Sequence, residues 1–172
     1  MMRLSLFLYL LCTGTIHAQI TFRPGYLIDA AGTVATIDLR VPGWHNNPTD
    51  IRYRETTGEL ITVPVEQIQE FGLRDSSARY QRFTVAIDQS LDDPARLSTS
   101  PEPEFREETV LLRTLVDGAA DLFFWERDNQ RRYFFRVGDG PVEQLVFRRF
   151  RVGQKFIETD DRFRKQLSGN LK

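Results

Sequence analysis

The feature that most constrains this chain is alternation. Apolar residues recur at every second position in short runs, and residues that turn the backbone separate the runs, which is how half-buried β-strands read. Ala35, Ile37, Leu39 and Val41 alternate with Val34, Thr36, Asp38 and Arg40, and Pro42-Gly43 ends that run. Ile51 and Tyr53 alternate with Arg52 and Arg54, Thr56-Thr57-Gly58 makes a tight turn, and Leu60 to Val63 returns. Pro64 cannot donate to a ladder and breaks the pairing. Val65, Ile68 and Phe71 stand one helical turn apart and predict a single turn of helix before Gly72. Phe83, Val85 and Ile87 then face one way in a further strand, with Arg82, Thr84 and Asp88 opposite.

Residues 88 to 105 interrupt the pattern. Prolines, acids and serines leave little to bury, so the segment reads as a surface linker within one fold. A meander of four strands follows, Thr109 to Val116, Ala120 to Arg127, Arg131 to Val137 and Val142 to Arg151. Its turns, Asp117-Gly118, Asp128-Asn129 and Gly138-Asp139-Gly140, supply the positive φ angles that short hairpins need. In the third strand Tyr133, Phe135 and Val137 share one face, with Phe135 expected to be buried, while Phe134 lies opposite between Arg132 and Arg136. Both faces are partly apolar, so the second face needs a cover from within the fold. Phe156, Phe163, Leu167 and Leu171 form an apolar stripe that predicts a helix from about Thr159, with Thr159 or Asp160 as cap and Asp161 in its first turn. The fold class is mainly β: an antiparallel sandwich or partly open barrel with a C-terminal α-helix.

The first residues are of another kind. Met1-Met2-Arg3 precedes the apolar run Leu4 to Leu11, and Ile16-His17-Ala18 offers a cleavage site. This predicts a secretory signal peptide over residues 1–18, cut between Ala18 and Gln19. The run is shorter than the ~20 apolar residues of a spanning helix, and Leu11 before Cys12 is too large for lipoprotein processing. Residues 19–172 then form a single β-rich domain, exported to the periplasm or held at the outer membrane, with no cysteine to form a disulfide. A net charge of −1 gives no reason to expect nucleic acid or an acidic membrane surface as partner. No segment after residue 18 is apolar enough to span a bilayer.

Chemistry is sparse. His45 is the only histidine beyond the signal segment, and no serine-hydrolase, zincin or phosphate-loop motif accompanies it. It reads as a solvated turn residue. The pairs Glu107-Glu108, Asp92-Asp93 and Asp160-Asp161 are adjacent in sequence; strand neighbours such as Glu107 and Glu108 point to opposite faces and cannot share one site. No catalytic residue, metal ligand or cofactor is assigned. Two groups have the ingredients of ligand binding: Trp44 with Asn46, an aromatic beside amides, and Arg132, Phe134 and Arg136 on the meander. The latter suit an anionic glycan or an acidic protein, although pairing with Glu126 and Glu143 accounts for the arginines equally well.

With the strands placed, the chain resembles a family of exported hypothetical proteins of Bacteroidetes-type bacteria. The likeness lies in Phe22-Arg23-Pro24-Gly25-Tyr26-Leu27-Ile28-Asp29, Trp44 with Asn47-Pro48, Ile68 with Phe71-Gly72, and Tyr80-x-x-Phe83-x-Val85-x-Ile87-Asp88. It continues through Leu111-Leu112-x-x-Leu115-Val116-Asp117-Gly118, Tyr133-Phe134-Phe135 and Pro141-Val142-Glu143-Gln144-Leu145. Longer members add an outer-membrane-type β-barrel after the point matched by Phe163-Arg164-Lys165-Gln166-Leu167, so the resemblance implies a truncated relative and supplies no catalytic residues. Together these features lead to the expectation of a non-catalytic envelope module that binds a protein or glycan, the alternative being a carboxylate-dependent hydrolase of an envelope polymer.

Overall fold

In chain order the strands are β1 (Phe22–Asp29), β2 (Val34–Arg40), β3 (Asp50–Arg54), β4 (Leu60–Pro64), β5 (Ile68–Leu73), β6 (Arg79–Asp88), β7 (Phe105–Val116), β8 (Ala120–Arg127), β9 (Gln130–Val137), β10 (Glu143–Leu145), β11 (Arg148–Val152) and β12 (Phe156–Asp160), followed by helix α1 (Phe163–Asn170). The computed structural model describes residues 21–41, 46–55, 57–153 and 155–170; the signal segment, Cys12, Trp44, His45 and Leu171 lie outside them. The protein is mainly β, with 57% of its residues in strands. Ten strands form one antiparallel half-barrel sheet in the order β10-β9-β8-β7-β6-β5-β1-β2-β3-β4. Most strands adjacent in sequence pair, several of them through tight turns; Asp128 and Asn129 supply consecutive positive φ angles of 52° and 66° between β8 and β9.

The register shows that the two ends of the sheet bury opposite faces. Phe71 pairs with Tyr80, and Arg82 with Leu111, which places Tyr80 and Leu111 on one face. That face carries the first core, with Leu27, Leu39, Ile51, Tyr53 and Ile68. Phe83 pairs with Val110 on the other face, which carries the second core of Val85, Ile87, Leu112, Phe123, Trp125 and Phe134. β6 and β7 are therefore packed on both sides, and the adjacent Leu111 and Leu112 are both fully buried, one in each core. The second half curls far enough that Gln144 Oε1 on β10 accepts from Asp88 N at the end of β6, 2.9 Å away.

Several sequence expectations are corrected here. Ile68 and Phe71 belong to strand β5, and only Val65–Gln67 forms a 3-10 turn. Ile68 pairs with Asp29 and Glu70 with Ile28, so the register skips Gln69. This bulge turns two residues three apart to one face and imitates helical spacing. The fourth meander strand breaks into β10 and β11, and β11 pairs with β12 as a separate hairpin. Thr159 and Asp160 lie in β12, so the helix begins at Phe163 and Phe156 is not part of its stripe; it stands 70% exposed on the hairpin. Residues 88–105 run over the surface in their second part, but Asp88, Ser90 and Leu97 are buried and the segment is tied down along its length. Ser98 O, for example, accepts from Arg151 N at 2.8 Å.

Candidate functional site

Alternation along β9 turns Arg132, Phe134 and Arg136 to the concave face, where the sheet curls around the second core. Phe134 is fully buried and Arg132 3% exposed, so neither presents a face to solvent. Arg132 Nε donates to Asp88 O at 3.1 Å, Nη1 to Asp92 Oδ2 and Arg131 O at 2.9 Å, and Nη2 to Ser90 O. It is the anchor of the linker. Arg136 is half-buried and grips Asp121, with Nε 2.9 Å from Oδ2. Phe135, on the opposite face, is 5% exposed, as expected, but its neighbours Tyr133 and Val137 are 44% and 38% exposed. Arg148 enters the same buried region from β11: its Nε lies 3.7 Å from Asp88 Oδ2, and none of its three guanidinium nitrogens has a hydrogen-bond partner among the described residues.

Asn46 and its neighbour Asn47 join the two halves of the sheet. β7 and β8 are in register from Arg113 and Phe124 toward their turn. On the other side of that pair Asn47 sits between the strands, with Nδ2 donating to Leu111 O (2.5 Å) and Phe124 O (3.2 Å), Oδ1 accepting from Glu126 N (2.8 Å) and its own N donating to Glu126 O (2.8 Å). Asn46 Oδ1 accepts from Asp128 N at 3.1 Å. The amides expected beside Trp44 as ligand contacts are thus engaged with backbone; Trp44 itself lies outside the described residues.

The convex face of the meander offers a different surface. Val116, Leu122, Tyr133, Phe135, Leu145 and Phe147 line a groove of about 660 Å³, and α1 closes one side with Phe163 and Leu167. Tyr133 and Phe147 are 44% and 57% exposed, and Phe147 meets the Phe163 ring edge-on at 5.9 Å. α1 also caps the sheet edge at β10. Gln166 Nε2 donates to Gln144 O and Gln166 Oε1 accepts from Val146 N, both at 2.9 Å, while Phe163 N donates to Val146 O at 2.9 Å. The side-chain amide thereby takes the place of a parallel strand's peptide group beside Leu145. Alternation marked Tyr133 and Phe135 as sharing a face; nothing in the sequence marked Gln166.

The carboxylates are held by arginines. Glu108 accepts from Arg127 and Arg106, with Arg127 the stronger influence, and its carboxyl is drawn down to about 2. Burial pushes Glu70 up, but Arg79, Tyr26 and Gln81 outweigh it and hold the group below the usual range. Burial likewise acts against Gly118 N and Arg136 at Asp121, and against Arg162 at Asp160, and both carboxyls end lowered. The Tyr26 phenol, which donates to Glu70 at 2.6 Å, is pushed up to about 12 by burial and by that carboxylate. These four carboxyls are built to stay ionised, the opposite of the raised carboxyl a general acid requires. No group of three or more His, Cys, Asp or Glu among the described residues is placed to hold a metal ion, and no described helix is long and apolar enough to cross a membrane.

Comparison of the chain with protein-family models, with curated proteins and with solved structures returns no match.

Proposed function

We propose that this chain is a non-catalytic module of the bacterial cell envelope that binds another protein through the convex face of its meander. The observation that carries the reading is the groove beneath α1: a concave surface of aliphatic and aromatic side chains, with Tyr133 and Phe147 exposed at it. The one charged group among its described lining residues, Asp121, is occupied by Arg136 and Gly118 N. A glycan needs hydrogen-bonding groups beside an aromatic platform, whereas a lining of this kind suits apolar side chains of a polypeptide. The ionised, arginine-bound carboxylates favour binding over the hydrolase alternative. Placement in the envelope rests on the signal-like residues 1–18 and on the family likeness of the motifs quoted above.

The test offers envelope proteins and envelope glycans separately to the immobilised protein. Retention of a protein fraction that is lost on Phe147→Asp and Tyr133→Asp, with melting temperature unchanged, is the expected result. Retention of glycan alone, or release of soluble fragments from it, would overturn the reading.

A further inference from the structure

The first half of the sheet has an opening of its own, unrelated to the groove. At one end of the first core Leu27, Ala35 and Val63 form the floor of a cavity of about 420 Å³, with Asp29, Tyr53 and Gln67 among its walls. The volume lies in the roughly 300–1,000 Å³ range of small-ligand sites, and mouths of β-barrels are among their preferred places. Leu27, Tyr53 and Val63 keep exposures of 5%, 9% and 9%, so this end of the core is only thinly covered. Small residues, Ala30, Ala31 and Ala35, leave the space.

Two polar groups in its walls each keep an oxygen without a hydrogen bond among the described residues. The Tyr53 side chain is nine-tenths buried, and its hydroxyl makes no hydrogen bond with a described residue. Burial, followed by the charge of Glu55, raises its pKa, so the phenol stays protonated and its ring neutral. The Asp29 carboxylate is fixed by the turn it builds: Oδ1 accepts from Ala31 N at 2.9 Å and from Thr33 N at 2.8 Å. Oδ2 has no hydrogen bond among the described residues. Glu70, Glu108, Asp121 and Asp160 each have an arginine beside them, but no arginine or lysine is among the described residues that line this cavity.

We infer that the mouth of the first half-barrel is a binding site for a small amphipathic ammonium ligand. The apolar body would lie on Leu27, Ala35 and Val63, and the cation would meet Asp29 Oδ2 and the neutral ring of Tyr53. A carboxylate and an aromatic face over an apolar floor are the elements by which proteins hold organic cations. The Asp29 turn presents the carboxylate in place, so little ordering is needed on binding. The site lies in the other half of the sheet from the groove and does not depend on the reading given to it.

The test is a titration of the isotope-labelled full chain, followed by amide resonances. 2-Phenylethylammonium is the probe, with 2-phenylethanol and 3-phenylpropionate as neutral and anionic counterparts. The ammonium is expected to shift Leu27, Thr33, Tyr53 and Val63 saturably, the alcohol to bind more weakly and the carboxylate not at all. Asp29→Asn keeps the Oδ1 acceptor of the turn and removes the charge; it should weaken the ammonium about tenfold. Ala31→Leu should block the opening while leaving the charge in place, and it provides a second reading if Asp29→Asn disturbs the turn. Equal binding of the carboxylate, binding unaffected by both variants, shifts scattered away from the cavity, or no saturable shift would each overturn the proposal.

Discussion

Around Asp88 two arginines are buried to the same depth with different partners. Arg132 donates from all three guanidinium nitrogens and satisfies the carbonyls of Asp88, Ser90 and Arg131. Arg148 has Asp88 Oδ2 as an ionic neighbour at 3.7 Å, also acts on the Asp160 carboxylate, and makes no hydrogen bond among the described residues. Removing one member of a buried ion pair strands the other and costs about 3–5 kcal/mol, and lost hydrogen bonds add to it. Arg132→Met should therefore lose about 3–5 kcal/mol in a urea melt, and Arg148→Met, which leaves the buried Asp88 carboxylate without its cation, should lose a comparable amount; a loss below about 1 kcal/mol for Arg148→Met would show that the donors Ser90 and Glu104 N suffice to hold Asp88. Glu108 contributes to the acid limb of stability together with the other lowered carboxyls. Its folded pKa of about 2 lies below the ordinary 4.5, so its contribution is complete above the unfolded value and is lost as pH falls from about 4.5 toward 2. Glu108→Gln should flatten the pH dependence of the melting temperature in that window. Alternation placed Phe134 and Phe135 on opposite faces, which is correct, but period two does not say which face is concave. That depends on the curl of the whole sheet, and so alternation alone does not show that Arg132 and Phe134 are interior.

At the scale of elements, the hairpins were legible because their signals are local. Asp128-Asn129, Thr57-Gly58 and Gly138 carry turn geometry within a few residues, and the strands beside them follow; Asp117-Gly118 also turns the chain, but without the positive φ expected of it. β1 was not visible as a strand: Pro24 and Gly25 interrupt its alternation, yet it pairs with β2 and β5 near the middle of the first half. Gly72 on β5 shows why a glycine is useful in that neighbourhood. A Cβ there would lie 2.8 Å from the Tyr26 ring, which crosses β5 to reach Glu70. The C-terminal stripe was half legible, since Phe163 and Leu167 do line the groove together, but Phe156 followed the period of the β11–β12 hairpin. α1 is short, and an isolated helix of that length is marginal in water. Its attachment rests on Gln166, Phe163 N and two apolar side chains. Gln166→Ala should accordingly speed tryptic cutting after Arg162 and Arg164 and uncover the β10 edge. An uncovered edge pairs with other strands, so light scattering should report self-association rising with concentration; a variant as monodisperse and protease-resistant as the parent would count against the edge-capping role.

At the scale of the molecule, one ribbon of strands serves two cores on its opposite sides. Leu111 and Leu112 are neighbours in sequence, both fully buried, and each truncation to Ala should cost about 2–5 kcal/mol. Their effects should nonetheless appear in different places. Hydrogen exchange is expected to quicken in β1 to β5 for Leu111→Ala and in β8 to β10 for Leu112→Ala; the same pattern for both would mean the two cores open as one. No periodicity reveals this arrangement, because a strand buried on both sides has no polar face to read. Asn47 adds a mechanical consequence. Two bodies of opposite curvature that share only β6 and β7 have a rocking motion available about that seam. The loop bearing Asn47 leaves β2, fastens between β7 and β8, and returns to β3, which converts an open hinge into a closed linkage. Rocking then requires shear between β7 and β8, and the rigid backbone bonds at Leu111, Phe124 and Glu126 resist it. Asn47→Ala should release that brake, seen as a broader distance distribution between spin labels at Thr62 and Val137, while an unchanged distribution would locate the stiffness elsewhere. In engineering language the asparagine is the cross-brace of a two-bay frame, and its load is carried by a side-chain amide that bonds both strands.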